Sequence, residues 1–534
     1  MPRNGAPPAL SRATSPGLGP AEDALARSIS PWQRGMAMAS IMFGTMIFIM
    51  NQTNVIVALP HMQGTFSATP DQISWVLTSF IVSLTIATAA TGVLSARFGR
   101  KRLILAATAG FTISSFLCAT AATLEQEVLF RALQGALGAP IIPLSQAIVM
   151  DIYPKERHGA ALGLWGIGIT VGPVFGPLVG GYVTEVYSWP WIFHFNVPIG
   201  AVVFLGLAAF VPSASRDRVR RMDWYGFAAL ALGLAAIQLV LNRGQRQDWL
   251  ASSEIVIELA LAGFCLYVFV VHSLTTRTPF IDRALFRDRN VVLGFCLVFA
   301  WGLMLHSPLV LLSLRLQGLG NYPVLETGIL MAPRGVGGIV AMLVIGWLIT
   351  RVSPKHLFVL GILCIAFASW IMSGWPIEAV DREVIFTAFL FGFGVAFAWV
   401  PLSILTFSTI DPRYRTEGVT FFNLLLNMGL GVGITIAIIV FSQGTQVNHE
   451  WLASFATPYN ELFHDAHVPR QWSLDGPRGL SAFDAEVQRQ AKTIAFNNAF
   501  YLIMLTALAV APLIYFLSGP AARRRPLAAK TATD

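Results

Sequence analysis

The sequence predicts an all-α polytopic membrane protein with 14 transmembrane helices arranged as 6+2+6, the two sixes forming parallel pseudo-repeats. Three observations predict it. The first is composition: of 534 residues, 55% are hydrophobic and 12% charged, with a mean hydropathy of +0.64. A soluble domain carries about 25% charge, so this chain lacks the polar residues to cover a water-facing surface of its size. The second is a series of fourteen apolar runs, each near the roughly 20 residues that cross a hydrocarbon core. The third is an internal repeat.

The runs fall at 35–58, 73–95, 103–122, 127–150, 159–184, 197–214, 223–242, 254–273, 291–314, 325–350, 357–375, 384–408, 418–441 and 496–518. Backbone groups in lipid must be satisfied internally, so these runs read as helices. Strand alternation is absent, which excludes a membrane barrel. Residues 1–34, rich in Pro, Ala, Ser and Gly, read as a disordered cytoplasmic tail without a signal-peptide pattern. Residues 35–214 are expected to form one six-helix bundle and 215–290 two inserted helices with flanking loops. Residues 291–518 form the second bundle, including an outer loop at 442–495, and 519–534 a second cytoplasmic tail. Cys118, Cys265, Cys296 and Cys364 lie in apolar stretches without CxxC spacing and read as buried filler.

Charge gives the orientation. If both termini are cytoplasmic, the inner segments hold 26 of the 36 Lys and Arg, among them Arg97-Arg100-Lys101-Arg102 and Arg216-Arg218-Arg220-Arg221. That asymmetry follows the positive-inside rule. It explains the pI near 9.5 as topology and contact with the lipid bilayer, so nucleic acid is not called for as a partner. The outer loop 442–495 contains Trp451, Tyr459, Trp472 and a polar run from Asp484 to Lys492. It reads either as a loosely ordered cap or as a docking surface for a periplasmic adaptor (membrane fusion) protein. His464-Asp465-Ala466-His467 in that loop reads as solvated chain rather than a metal site.

The repeat is visible in three places. Pro143-Leu144-Ser145 recurs as Pro401-Leu402-Ser403, and Ile152-Tyr153-Pro154-Lys155-Glu156-Arg157 as Ile410-Asp411-Pro412-Arg413-Tyr414-Arg415. Gly92-Val93-Leu94-Ser95-Ala96-Arg97 recurs as Gly346-Trp347-Leu348-Ile349-Thr350-Arg351. Spans 2–4 thus correspond to spans 10–12. The offset covers eight spans, so the halves are parallel, as in a transporter that rocks about a central site.

The fifth span carries Gly163, Gly172, Gly176-Pro177-Leu178-Val179-Gly180-Gly181, a pattern that lets a neighbouring backbone approach closely. Its spacing is that of major facilitator antiporters. Gly92-x-Leu94-x-x-Arg97-x-Gly99-Arg100-Lys101 resembles the superfamily's signature loop, and Arg131-x-x-Gln134-Gly135 its fourth-helix motif. Trp189-Pro190-Trp191-Ile192-Phe193-His194-Phe195-Asn196-Val197-Pro198-Ile199-Gly200, Asp223-Trp224-x-Gly226 and Arg243-Gly244 with Asp248-Trp249 are similar to a fourteen-helix branch. Over about residues 35–518 the chain resembles the drug:proton antiporters of the EmrB/QacA subfamily. The resemblance implies a major facilitator fold, alternating access and a bacterial cytoplasmic (inner) membrane location. Two positions depart from the pattern. Asn51 stands where the subfamily's first helix has an aspartate, and Ala96 where the signature loop has an acid.

Polar residues at membrane depth are functional candidates because they are expensive there. Asn51, Gln52, Thr53 and Asn54 wrap the first helix and are expected to line a cavity, with Gln134, Asn423 and Asn427 opposite. Trp165, Trp301 and Trp399 offer apolar or cation–π surface, or simple packing. Arg131 reads as an anion or proton-linked site, or as a charge reaching the outer interface. Arg334 is a candidate substrate contact that pairs with Glu326 or with carbonyls freed by Pro333. His306 reads as a proton carrier or a packing residue, and Arg315 as an interface anchor. Coupling and gating fall to Arg131, Arg97, Gly176, Pro177, Gly180, Gly181 and Glu326.

GxSxG, HExxH and P-loop patterns are missing, so the sequence reads as a non-enzyme without metal or cofactor, driven by a proton gradient. The expected function is proton-coupled efflux of amphipathic drugs or toxic organic compounds. The alternatives are export of one metabolite or amphipathic acid, and a gradient-insensitive membrane receptor or scaffold.

Overall fold

A computed structural model of the chain describes residues 29–154, 157–213, 223–276, 279–378, 380–410, 414–455 and 476–517. Among the described residues there is no strand, and fourteen helices are long and apolar enough to cross a membrane. They are α1 Pro31–Thr65, α2 Gln72–Phe98, α3 Arg100–Ala119, α4 Leu124–Ile152, α5 His158–Val186, α6 Trp191–Phe210, α7 Trp224–Arg243 and α8 Ser253–Thr275. Then come α9 Arg289–Gly318, α10 Glu326–Leu348, α11 Pro354–Ser373, α12 Asp381–Phe407, α13 Glu417–Ala453 and α14 Pro477–Phe516. Each apolar run of the sequence lies on one of them.

Packing repeats between the halves. α1 lies on α5, α2 on α4, and α3 on α4 and α6; α9 likewise lies on α13, α10 on α12, and α11 on α12 and α14. Small residues set these contacts. A Cβ on Gly135 of α4 would stand 2.4 Å from the Phe80 carbonyl oxygen of α2. In the second half, Gly392 of α12 presses the same way on the Arg334 carbonyl of α10.

The halves meet through α5 on α10 and α13 on α2. These two contacts exchange with each other under the repeat, as a pseudo-two-fold requires. α7 and α8 pack together, with α7 set against both α2 and α13. Asp223 caps α7, accepts from Phe280 N at 3.1 Å and lies 2.9 Å from His272 Nε2 of α8. At the other end Arg243 pairs with Glu254 (2.9 Å) and Glu258 (3.1 Å), and lies 5.4 Å from the Trp75 ring of α2.

Four spans are interrupted: α4 at Ala139 and Pro140, α6 at Phe195, α9 at His306 and α10 at Ala332. The expectation for 442–495 needs correction. α13 runs on to Ala453 and α14 begins at Pro477, so much of that segment is helix, including the polar run from Asp484 to Lys492. The 37 residues of α13 extend about 55 Å at ~1.5 Å per residue, well beyond a ~30 Å hydrocarbon core. Phe441 stacks on Phe496 with centroids 4.2 Å apart, and His449 meets Asp484 at 2.8 Å, so the projecting parts zip together. Tyr459, His464, His467 and Trp472 lie outside the described residues. Two smaller readings also change. Cys296 is exposed rather than buried. Arg315 is 2% exposed and does not reach an interface. It donates to Asn497 Oδ1 (3.0 Å) and to the Trp375 and Pro376 carbonyls, clamping α9 to α14 and to the end of α11.

Candidate functional site

α4 builds the first polar cluster. Thr123 caps it, its hydroxyl accepting from Gln126 N at 3.3 Å, and Arg131 follows two turns later with 1% exposure. Its Nε donates to the Val76 carbonyl of α2 at 3.3 Å, and its Nη1 to Asn51 Oδ1 of α1 at 2.9 Å and to Gln134 Oε1. Gln134 Nε2 donates to Ser115 Oγ of α3 at 2.6 Å. The Phe80 ring lies 4.2 Å from the guanidinium and the Phe193 ring 5.8 Å, a cation–π sandwich. Arg131 is thus neither at the interface nor open to a cavity; it is enclosed by four helices.

Thr53 and Asn54 do not line a cavity in this structure, which corrects the expectation for those two residues. Thr53 and Asn54 fill the α1–α5 interface. A Cβ on Gly176 would come within 1.9 Å of Thr53 Oγ1, and one on Gly180 within 3.0 Å of Asn54 Cα. Thr53 bonds to the Met50 carbonyl (3.0 Å), and the Asn54 amide, oriented by its hydrogen bonds, donates to Met50 O (3.1 Å) and Gly176 O. Gly172 and Gly181 face Ile49 and Val57. The glycine pattern therefore serves close packing of α5 on α1, and Pro177 sits inside an unbroken helix. Gly163 instead faces the Met342 carbonyl of α10, across the halves. Gln52 is half-buried. Trp165 is fully buried with its indole N–H 3.2 Å from Thr45 Oγ1, a packing position.

The second cluster is in the other half. His306 occupies the break in α9, where its carbonyl accepts from Leu309 N (3.0 Å) and Val310 N (3.2 Å). Arg334 follows the break in α10 and donates to the Leu305 carbonyl, with the Phe391 ring 4.8 Å away. Its partner is thus a carbonyl freed at the α9 break, one freed by His306 rather than by Pro333. Glu326 is exposed and forms no ion pair with Arg334. A void of about 10 Å³ lies beside Arg334, lined by Leu312, Met331 and Phe391 among others. That is room for one water at most. Trp301 and Trp399 pack with centroids 4.8 Å apart, and neither indole N–H is bonded among the described residues.

Gln134 and Asn423 do not face each other. Asn423 of α13 donates to Gln146 Oε1 at 3.2 Å, in the other half of α4, and Asn427 is half-buried one turn on. The Asn423–Gln146 bond joins the two halves. Gly92 of α2 lies against Glu417 of α13, with a Cβ 3.5 Å from Glu417 Cα, and on the other seam Gly159 of α5 lies against Ile349. Arg97 is exposed, lies 5.6 Å from the Phe98 ring and forms no ion pair among the described residues. Arg100 takes the ionic part of the loop, pairing with Asp151 at the end of α4.

Sequence reasoning passed over Ser115, Gln146 and Asp151, because single polar residues in apolar helices carry no spacing signal. It passed over Glu127 as a site residue, although its place four residues before Arg131 is such a signal. Glu127 is 0% exposed, and among the described residues neither carboxyl oxygen has a hydrogen-bond partner. A larger groove, about 720 Å³, runs on the outside of the bundle between α1 and α6, lined by apolar residues such as Phe43, Pro198, Val202 and Phe210. It holds none of the candidate residues.

Comparison with known proteins agrees with this architecture. The chain is 31% identical to the multidrug export protein EmrB of Haemophilus influenzae, over 93% of this chain and 98% of that one. It is 31% identical to the fatty acid resistance protein FarB of Neisseria gonorrhoeae (92% and 98%), and 29% to EmrB of Escherichia coli K12 (90% and 94%). Among solved structures, the proton:xylose symporter XylE superposes with a TM-score of 0.60 at 12% identity, covering 91% of this chain and 96% of that one. The human organic anion transporter MFSD10 gives 0.57 at 14% identity (90% and 100%). At those identities they show the fold alone. Residues 41–434 match the Major Facilitator Superfamily as a family. Fourteen helices, parallel halves and a full-length relative at 31% identity carry one conclusion: this chain is a membrane transporter that belongs to the Major Facilitator Superfamily.

Proposed function

We propose that the chain exports amphipathic organic compounds in exchange for protons, by alternating access, from a bacterial inner membrane with both termini in the cytoplasm. The observation that carries this reading is the contact between the halves. α5 meets α10 and α2 meets α13 through Gly92, Gly159, Gly163 and Gly346, faces smooth enough to part and re-form. Each half also holds an arginine within its own bundle, Arg131 among α1, α2, α4 and α6 and Arg334 between α9, α10 and α12. The division into bundles 35–214 and 291–518, with 215–290 inserted, describes the two moving bodies. Relatives named for multidrug export over nearly the whole length support the direction and substrate class. The placement of Lys and Arg supports the orientation.

A second reading, export of an amphipathic acid, is favoured by Arg334 at the paired breaks of α9 and α10 and by the FarB relative. The projecting parts of α13 and α14 expose Val447, Trp451 and Leu480, and we assign them to an adaptor protein on the periplasmic side. The test is transport in proteoliposomes of purified protein, with and without a pH gradient, using ethidium and a fluorescent fatty acid in parallel. Gradient-driven ethidium uptake supports the first reading, and fatty acid uptake alone the second. Indifference of both to the gradient overturns proton coupling.

A further inference from the structure

The Arg131 cluster is asymmetric in a way the transport reading does not use. The guanidinium is buried, and its hydrogen-bond partners are all neutral: Asn51, Gln134 and the Val76 carbonyl. One turn earlier on the same helix is a carboxyl, Glu127, fully buried, with both oxygens unbonded. Residues four apart on a helix share a face with their Cβ atoms about 6 Å apart. A guanidinium and a carboxylate so placed would ordinarily bind to each other.

The surroundings explain why they do not. Leu124 and Val128 pack into an apolar cluster made by Val55, Val76, Cys118, Trp189 and Phe193. The charged or titratable groups facing Glu127 are Arg131 on its own helix and Cys118 on α3. α1, α2 and α6 present Asn51, the Val76 carbonyl, Phe80 and Phe193 around Arg131, none of them titratable. An unbonded carboxylate in such a place costs far more than a carboxylic acid. With neither oxygen bonded, the neutral acid is the less costly of the two forms in the arrangement seen here.

We propose that Glu127 is the proton carrier of this transporter, and that Arg131 is the switch that discharges it. This rests on the proton-coupled reading above. With Arg131 held by Asn51 and Gln134, the Glu127 carboxyl keeps its proton. When the half opens and Arg131 leaves Asn51 for Glu127, the O–H bond breaks. The proton passes to water on the open side, and the carboxylate pairs with the guanidinium. Reprotonation from the opposite side releases Arg131 back to Asn51. One proton crosses per cycle, and no other group changes its covalent state.

The test uses the full chain in proteoliposomes with ethidium as probe. Two modes are compared: uptake driven by a pH gradient, and exchange of ethidium at equal pH, which needs no net proton movement. Glu127→Gln is expected to lose gradient-driven uptake roughly tenfold or more while keeping exchange. Glu127→Asp is expected to keep driven uptake with a displaced pH profile. In detergent, ethidium binding should release protons from the wild type and none from Glu127→Gln. Driven uptake by Glu127→Gln at the wild-type rate overturns the inference, and so does loss of exchange together with driven uptake. A wild type indifferent to the gradient overturns the functional reading instead, so the two failures are distinguishable.

Discussion

At the scale of single residues, two arginines show how differently a buried charge is used. Arg315 bonds to Asn497 Oδ1 and two carbonyls at the far end of α9, a closed structural clamp. Arg315→Ala would strand those carbonyls, and hydrogen bonds to a charged group are worth roughly 1.5–3 kcal/mol each. The expected outcome is a lower unfolding temperature in detergent with ethidium exchange intact in the surviving protein; an unchanged temperature would refute the clamp. Arg131 instead has an exchangeable partner, since Asn51 Oδ1 lies 2.9 Å from its Nη1. An aspartate at that position would pair with the guanidinium as an anion in the arrangement seen here and take up a proton when Arg131 leaves it, standing in for Glu127. In a Glu127→Gln background, Asn51→Asp is therefore expected to recover gradient-driven uptake. If it does not, Arg131 is not the switching group. The departure from the subfamily at Asn51 was legible in the sequence. Its compensation by Glu127 was not, because a carboxyl near a helix start looks like a favourable end charge until its burial is known.

At the scale of elements, the glycines divide by what they press on. On Gly176 a Cβ would meet the Thr53 side chain first, at 1.9 Å, whereas on Gly135 it would meet both Ser83 Oγ and the Phe80 carbonyl at 2.4 Å. Side chains yield and backbones do not. Overpacking costs roughly 1–3 kcal/mol, so both Gly176→Ala and Gly135→Ala should lower stability. Adding Thr53→Ala should recover part of the first loss, and adding Ser83→Ala little of the second, as read from unfolding temperatures. Equal rescue would contradict the α2–α4 geometry. The helices themselves were plain in the sequence, because each apolar run exceeds what any soluble element needs. Ends were less plain. The polar surface of α13 beyond residue 441 and of α14 before residue 496 gave no apolar run, yet pairing of Phe441 with Phe496 and His449 with Asp484 makes them helix. The side of α1 that faces α5 was also hidden, because four adjacent polar residues point in every direction. The glycines of the partner helix, Gly176 and Gly180, decide which of them are covered.

At the scale of the whole molecule, the seam between the halves is the element that must open. The repeat predicted two bodies and their axis; the residues on the seam come from packing that no single stretch of sequence displays. A Cβ on Gly346 of α10 would lie 3.7 Å from the Cα of Ala160 on α5, so cysteines at these two positions would stand next to each other across the seam. In Ala160→Cys/Gly346→Cys, mild oxidation should join the halves in the state seen here. Rocking then stops, so ethidium exchange and gradient-driven uptake should both fall roughly tenfold or more, and reduction should restore both. A control lies in the inserted pair, where a Cβ on Gly233 of α7 would stand 3.4 Å from Cβ of the native Cys265 on α8. Gly233→Cys should crosslink there without loss of transport, because α7 and α8 travel together. Transport by the oxidised Ala160→Cys/Gly346→Cys protein at its reduced rate would show that the α5–α10 seam does not part, and alternating access would then need a different pair of surfaces.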